Sequence, residues 1–204
     1  MMRRVWGPRV HTRTARCVGL VISLVIVLAS TGWAQEGGRS EGFDDPDLPG
    51  WIVTDGVSVD EGRLRISTGG EAALNGCWEN AAISVRLLRG TDAELRLRYR
   101  AREEDGYVLR MTEEGLAILR VEGDEALELG RAEMSIPVDA WVEIEVTLFG
   151  GGHFVEWNGV LLLAAIDASP LPAGGVRLEA SSGTGTFDDL RISEGWCAIS
   201  SAED

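Results

Sequence analysis

Lysine is absent from the 204 residues, and histidine and cysteine are scarce, with two and three copies. All 19 basic residues are arginine, the bias that a GC-rich coding sequence produces, and no function is read from it. His11 lies in the N-terminal segment, so a histidine-dependent triad has one candidate, His153, whose position after Gly150, Gly151 and Gly152 reads as a turn. Cys77 and Cys197 have no histidine companions and make a poor zinc site. Beyond residue 34 there is no long apolar run and no convincing helical period, which excludes a helical bundle.

What is present begins with an export signal over residues 1–34. Arginines 3, 4, 9, 13 and 16 precede an apolar run from Val18 to Ala29, and Gly32 and Ala34 suit cleavage before Gln35. The run is short for a bilayer span, and an uncleaved anchor is the alternative. After cleavage no stable membrane insertion is expected, and the protein is expected to be secreted or periplasmic. Cys17 precedes the apolar run, so it does not suit lipidation. The remaining 170 residues suit one domain: a linker over 35–41, a folded region over 42–194 and a tail over 195–204. Fourteen arginines face all 33 acidic residues there, a formal charge of −19, which argues against nucleic acid as a partner. In an oxidising compartment Cys77 and Cys197 form a candidate disulfide, worth about 4 to 5 kcal/mol in the chain-entropy account; two separate thiols are the alternative.

The rest of the chain is a series of short alternations separated by Gly, Asp and Pro, which predicts an all-β, antiparallel two-sheet sandwich. In Ala93–Arg102, Leu95, Leu97, Tyr99 and Ala101 take one face and Arg96, Arg98, Arg100 and Arg102 the other. Ile83, Val85 and Leu87, then Tyr107, Leu109 and Met111, then Val142, Ile144, Val146 and Leu148 read as inward on the same rule. Asn158 and Gly159 suit a type I′ hairpin turn. Arg86, Arg96, Arg98, Arg100, Arg102, Arg110 and Arg120 make an arginine-rich outer face in a fold that also carries Glu143, Glu145 and Glu156. Cross-strand ion pairing on a solvated sheet is one reading; a cationic groove for a uronic acid or sulfated sugar, with Arg96, Arg98 and Arg100 as ligand-binding residues, is the other.

The segments EGFDDPDLPGWIVTDGVSVDEGRLRI and LPAGGVRLEASSGTGTFDDLRIS resemble the opening and closing strands of the concanavalin A-like lectin/glucanase superfamily, which includes laminin-G-like domains. Within it the chain looks most like bacterial exported domains known as 3-keto-disaccharide hydrolases. The resemblance runs from Gly42 to Ser193 and implies a jelly roll; such folds host lectins, hydrolases and structural modules alike.

Within TFDDLRIS, strict alternation with Leu190 and Ile192 inward sends Asp188 inward and Phe187 outward. An inward carboxylate needs backbone amides or a calcium ion, for which Asp44 and Asp45 are the nearest further oxygens. A bulge that turns Phe187 inward is the alternative. No cofactor is required; a structural calcium on Asp44, Asp45 and Asp188 is the candidate. The glucanase pair of strand glutamates has no counterpart: Glu122–Glu128 reads as a turn, and no catalytic residues are assigned. For sugar stacking, Trp78 and Trp157 lie beside loop or hairpin positions, whereas Trp51 and Trp141 flank strands and read as core; Trp196 reads as a cover for Cys197. The expected partner is a carbohydrate or another envelope protein, with hydrolase or lyase action on a keto-disaccharide and a purely structural role as alternatives.

Overall fold

A computed structural model describes residues 38–194. Fifteen strands follow one another: β1 (Arg39–Glu41), β2 (Trp51–Val53), β3 (Val57–Asp60), β4 (Arg63–Ser67), β5 (Gly70–Trp78), β6 (Ala81–Arg89), β7 (Glu94–Arg102), β8 (Asp105–Thr112), β9 (Gly115–Glu122), β10 (Glu125–Glu133), β11 (Trp141–Phe149), β12 (Gly152–Trp157), β13 (Val160–Ile166), β14 (Gly174–Ser182) and β15 (Thr184–Glu194). No helix occurs among the described residues, so none there is long and apolar enough to cross a membrane.

The strands form two antiparallel sheets. One runs β13-β12-β11-β6-β15-β4-β3, with β1 beside the second half of β15; the other runs β10-β9-β8-β7-β14-β5-β2. Alternation builds the layer between them. Leu95, Leu97 and Tyr99 of β7, Leu109 and Met111 of β8, Ile83 and Leu87 of β6, and Ile144 and Val146 of β11 are all fully buried. The predicted I′ turn is present, with φ of 48° at Asn158 and 76° at Gly159, and the Asn158 Oδ1 accepts the Glu143 N–H at 2.9 Å. Of Glu122–Glu128, expected as a turn, only residues 123–124 turn; Glu125–Glu128 open strand β10.

Among several register shifts, two overturn what strict alternation leads one to expect. On β15, Asp188 is opposite Arg86 and Arg191 is opposite Ser84, so Asp189 and Leu190 occupy the space of Val85 alone. Asp189 takes up the extra residue at φ 49°. Phe187 and Leu190 are therefore both buried completely, and both aspartates lie half-exposed on the outer side. The inward Asp188 of strict alternation is corrected by this bulge. Its Oδ1 accepts the Asp189 N–H at 2.8 Å, and Asp189 accepts from Arg86 at 3.0 Å.

The second departure is on β7. Tyr99 pairs with Tyr107 and Arg102 with Asp105, leaving Arg100 and Ala101 against Gly106 alone, with Arg100 at φ 48°. Arg100, expected on the outer face, is turned inward and is 2% exposed. A β-carbon on Gly174 would lie 2.5 Å from the Arg100 carbonyl carbon, so only glycine admits the bulged backbone there.

The β15 bulge ranks two neighbouring side chains. Phe187→Ala is expected to lower stability by about 3 to 5 kcal/mol, because it empties a filled position in the core. Asp188→Ala is expected to cost about 1 kcal/mol, the worth of one half-exposed hydrogen bond. Urea denaturation of the two variants checks the order, which strict alternation would reverse.

Candidate functional site

Arginines on the outer face of the seven-stranded sheet are largely spent on neighbours. Arg98 donates from Nε to Glu179 at 2.8 Å and from Nη1 to the Glu104 carbonyl at 2.9 Å, and both members of the pair are largely buried. Arg96 holds Glu94 at 2.7 Å, and Arg177 holds Glu71 at 3.3 Å. Cross-strand ion pairing thus describes this face, with Glu71 and Glu179 as partners in place of Glu143, Glu145 and Glu156.

Arg100 serves the interior. Its Nε and Nη2 donate to the Glu79 carbonyl at 3.0 and 2.6 Å, Nη1 to Leu171 at 2.8 Å, and Nη2 also to Gly150 at 2.7 Å. Three separate connections are thereby tied to one guanidinium, which lies 5.9 Å from the Tyr107 ring. Beside it, His153 is a strand residue of β12 with no exposed surface, which corrects the expected turn position. It shares the inward parity of Val155 and Trp157, a signal that the three preceding glycines obscured. Its Nδ1 is 3.2 Å from the Tyr99 hydroxyl, its ring lies 4.3 Å from that of Tyr107, and its buried Nε2 has no partner among the described residues.

The network continues outward. The Tyr107 hydroxyl donates to Asp167 at 2.7 Å and accepts the Leu171 N–H at 2.8 Å; Arg120 also reaches Asp167 at 2.7 Å. Burial, followed by the bond to Asp167, pushes the Tyr107 hydroxyl up to about 12. Burial alone would raise Asp167, but Tyr107, the Ser169 N–H and Arg120 outweigh it and hold the carboxyl below its ordinary range. Burial, then the charge of Arg100, pushes His153 down to about 4. This cluster has the marks of a structural plug: its charges are paired or spent on carbonyls, and it stays neutral at the histidine.

The tryptophans are distributed differently from expectation. Trp78 is 8% exposed, folded across Gly76 so closely that a β-carbon there would strike its ring, and Trp157 packs against the core. Neither is an open stacking platform, because both turn inward where a loop position suggested exposure. Trp51 is buried as expected and bonds Glu41 through its indole at 3.3 Å. Trp141, expected in the core, lies partly exposed on the outer face of the eight-stranded sheet. Its parity with Glu143 and Glu145, opposite to that of Val142 and Ile144, is the signal that would have found it.

Cross-strand register surrounds Trp141 with polar groups. One row carries Trp141, Leu88, Thr186 and Arg65; the next carries Glu143, Arg86 and Asp188; a third carries Glu156, Glu145, Ser84 and Arg191. The guanidinium carbons of Arg86 and Arg63 lie 5.0 and 5.5 Å from the Trp141 ring centre. Arg65 makes no ion pair among the described residues. Burial, then the neighbouring charges of Glu156 and Glu143, holds the Glu145 carboxyl above its ordinary range. A partly exposed indole with guanidinium groups over its ring and carboxylates on the adjoining row combines the apolar contact, donors and acceptors that a sugar ring uses.

The other expected ligands fall elsewhere. Asp44 and Asp45 are exposed in the β1–β2 connection, where Asp45 Oδ1 accepts the Asp47 N–H at 3.0 Å. Among the described residues no three His, Cys, Asp or Glu side chains are gathered as a metal would need. Cys77 is exposed near the end of β5; Cys197 and Trp196 lie outside the described residues.

No family model matches the chain, and no curated protein matches it in sequence. Solved structures do. The chain is similar to the carbohydrate-binding module CBM66 from Bacillus subtilis, with a TM-score of 0.61 and 14% identity over 71% of this chain and 96% of that one. It is similar to the β-glucanase of Bacillus licheniformis, with a TM-score of 0.64 and 10% identity over 78% and 99% of the two chains. The galectin LEC-6 of Caenorhabditis elegans gives a TM-score of 0.51 and 12% identity over 72% and 98%. At these identities the likeness is one of fold: a two-sheet jelly-roll sandwich.

His153 gives the fold a defined response to acid. Its pKa falls from 6.5 in the unfolded chain to about 4 in the fold. Between those values the unfolded state binds the extra proton, so stability is lost as pH drops from 6.5 to 4, on the order of 3 kcal/mol in total. Asp167 adds its loss below 3.8, and Glu145, raised in the fold, acts with the opposite sign. Urea midpoints across this pH range are expected to slope in the native protein and to flatten in His153→Phe.

Proposed function

We propose that this protein is an exported carbohydrate-binding sandwich that holds an acidic glycan against the outer face of its eight-stranded sheet. The observation that carries the reading is Trp141, partly exposed on that face with Arg86 and Arg63 at 5.0 and 5.5 Å from its ring. A pyranose ring packs on the accessible part of the indole, and a carboxylate or sulfate on that ring meets the guanidinium groups that lie over it. Support also comes from fold neighbours named as a carbohydrate-binding module and a galectin. An arginine-rich N-terminal segment followed by an apolar run supports export. Hydrolysis of a keto-disaccharide is the runner-up, and it rests on the resemblance of the first and last segments alone.

Affinity electrophoresis of the protein through gels containing polyuronate, sulfated glucan or neutral glucan tests the reading. Retardation is expected in the acidic gels and not in the neutral one. Trp141→Ala is expected to weaken it at least tenfold and Arg86→Ser, whose guanidinium stays accessible beside Asp189, several-fold, while Arg98→Ser, largely buried against Glu179 on the other sheet, leaves it intact. Retardation that survives Trp141→Ala refutes the site. Absence of retardation with release of product from a keto-disaccharide would favour the hydrolase.

A further inference from the structure

At the end of the sandwich where the β6–β7 and β8–β9 turns come together, a cavity of about 420 Å³ opens among Arg89, Arg110, Thr112, Arg131 and Ser182. It shares no residue with the Trp141 face. Its floor follows from register: Ala117 stands between Arg110 of β8 and Arg131 of β10, so a small side chain leaves room between two long cationic ones.

Arg89 is the unusual member. It is 2% exposed, and Nη1 and Nη2 donate to the carbonyls of Ala93 and Ile136 at 3.2 and 3.1 Å. Its Nε–H is buried with no acceptor, and no carboxylate among the described residues pairs with the group. Arg100, the other buried guanidinium, supplies the contrast: it too has only carbonyl partners, yet every one of its nitrogens is spent. A buried cation that retains an unused donor and no counter-charge is costly unless an anion completes it.

Arg110 lines the same cavity and makes no ion pair among the described residues, whereas Arg131 is held by Glu128 at 2.7 Å. Asp92, Glu113 and Glu114 stand exposed at the rim as acceptors without ion pairs. Donors for an anionic group thus lie inside, with acceptors for hydroxyl groups around them. From this arrangement we infer that the cavity is a second binding site, for a small polyhydroxy carboxylic acid of the sugar-acid class. Its carboxylate lies toward Arg89 and Arg110, and its hydroxyls donate to the rim carboxylates.

Titration calorimetry of the full chain with glucuronate, glucose and inorganic sulfate tests the inference. Saturable binding of glucuronate is expected, with glucose at least tenfold weaker because it lacks the anionic group, and sulfate weaker because it lacks the hydroxyls. Arg110→Ser is expected to weaken glucuronate binding at least tenfold; this surface variant avoids the folding defect that Arg89 substitutions risk. The titration is made also in the Trp141→Ala background, which disables the outer face: glucuronate binding that persists there and disappears on adding Arg110→Ser belongs to the cavity, so the two sites fail separately. Absence of glucuronate binding, equal binding of glucose or of sulfate, or binding indifferent to Arg110→Ser would each overturn the assignment.

Discussion

A strand sends only alternate side chains into a sandwich, and a carboxylate or guanidinium sent there has to find partners or leave. The jelly roll is organised around how it meets that constraint on β7 and β15. On β15 one extra residue moves two carboxylates to the outer side and lets Phe187 and Leu190 fill the core together. On β7 one extra residue does the reverse and brings a guanidinium inside, where carbonyls from three connections surround it. One bulge protects the apolar layer; the other converts a cation into a clamp on loops that would otherwise have only each other.

Most of the strand pattern was legible because it depends on parity alone. The leucines of β7, the valines and isoleucine of β11 and the Asn158–Gly159 turn all sit where their spacing places them. What parity hides is the single inserted residue. Nothing in RLRYRAR distinguishes Arg100 from Arg98, since the bulge depends on Gly106 across the hairpin and on Gly174 far along the chain. Trp141 and Trp157 follow parity, which sends the first outward from a strand end and the second inward beside a turn. His153 was obscured by the glycines before it.

The strongly acidic composition also reads differently once the sheets are assembled. Many of the carboxylates are matched locally: Glu71, Glu94, Glu128 and Glu179 each hold an arginine, and Asp189 holds Arg86. Arg63 and Arg86 lie over Trp141, while Glu143, Glu145 and Glu156 lie on the adjoining rows. Both signs of charge therefore meet on this face, and the formal charge of the whole molecule is a poor guide to any one patch of it.

The pairing of β1 with β15 sets Arg39 opposite Ile192, which brings Gly38 and Ser193 to neighbouring positions. The described chain therefore enters and leaves at one corner, about one strand spacing or 5 Å apart. Thr186, on the row of Trp141, lies six residues back along β15, about 20 Å away. A sandwich with this layout can be spliced into a surface loop of another protein without prying that loop open. Held by that corner, the sandwich would carry Trp141 well away from the point of attachment, like a hand on a wrist.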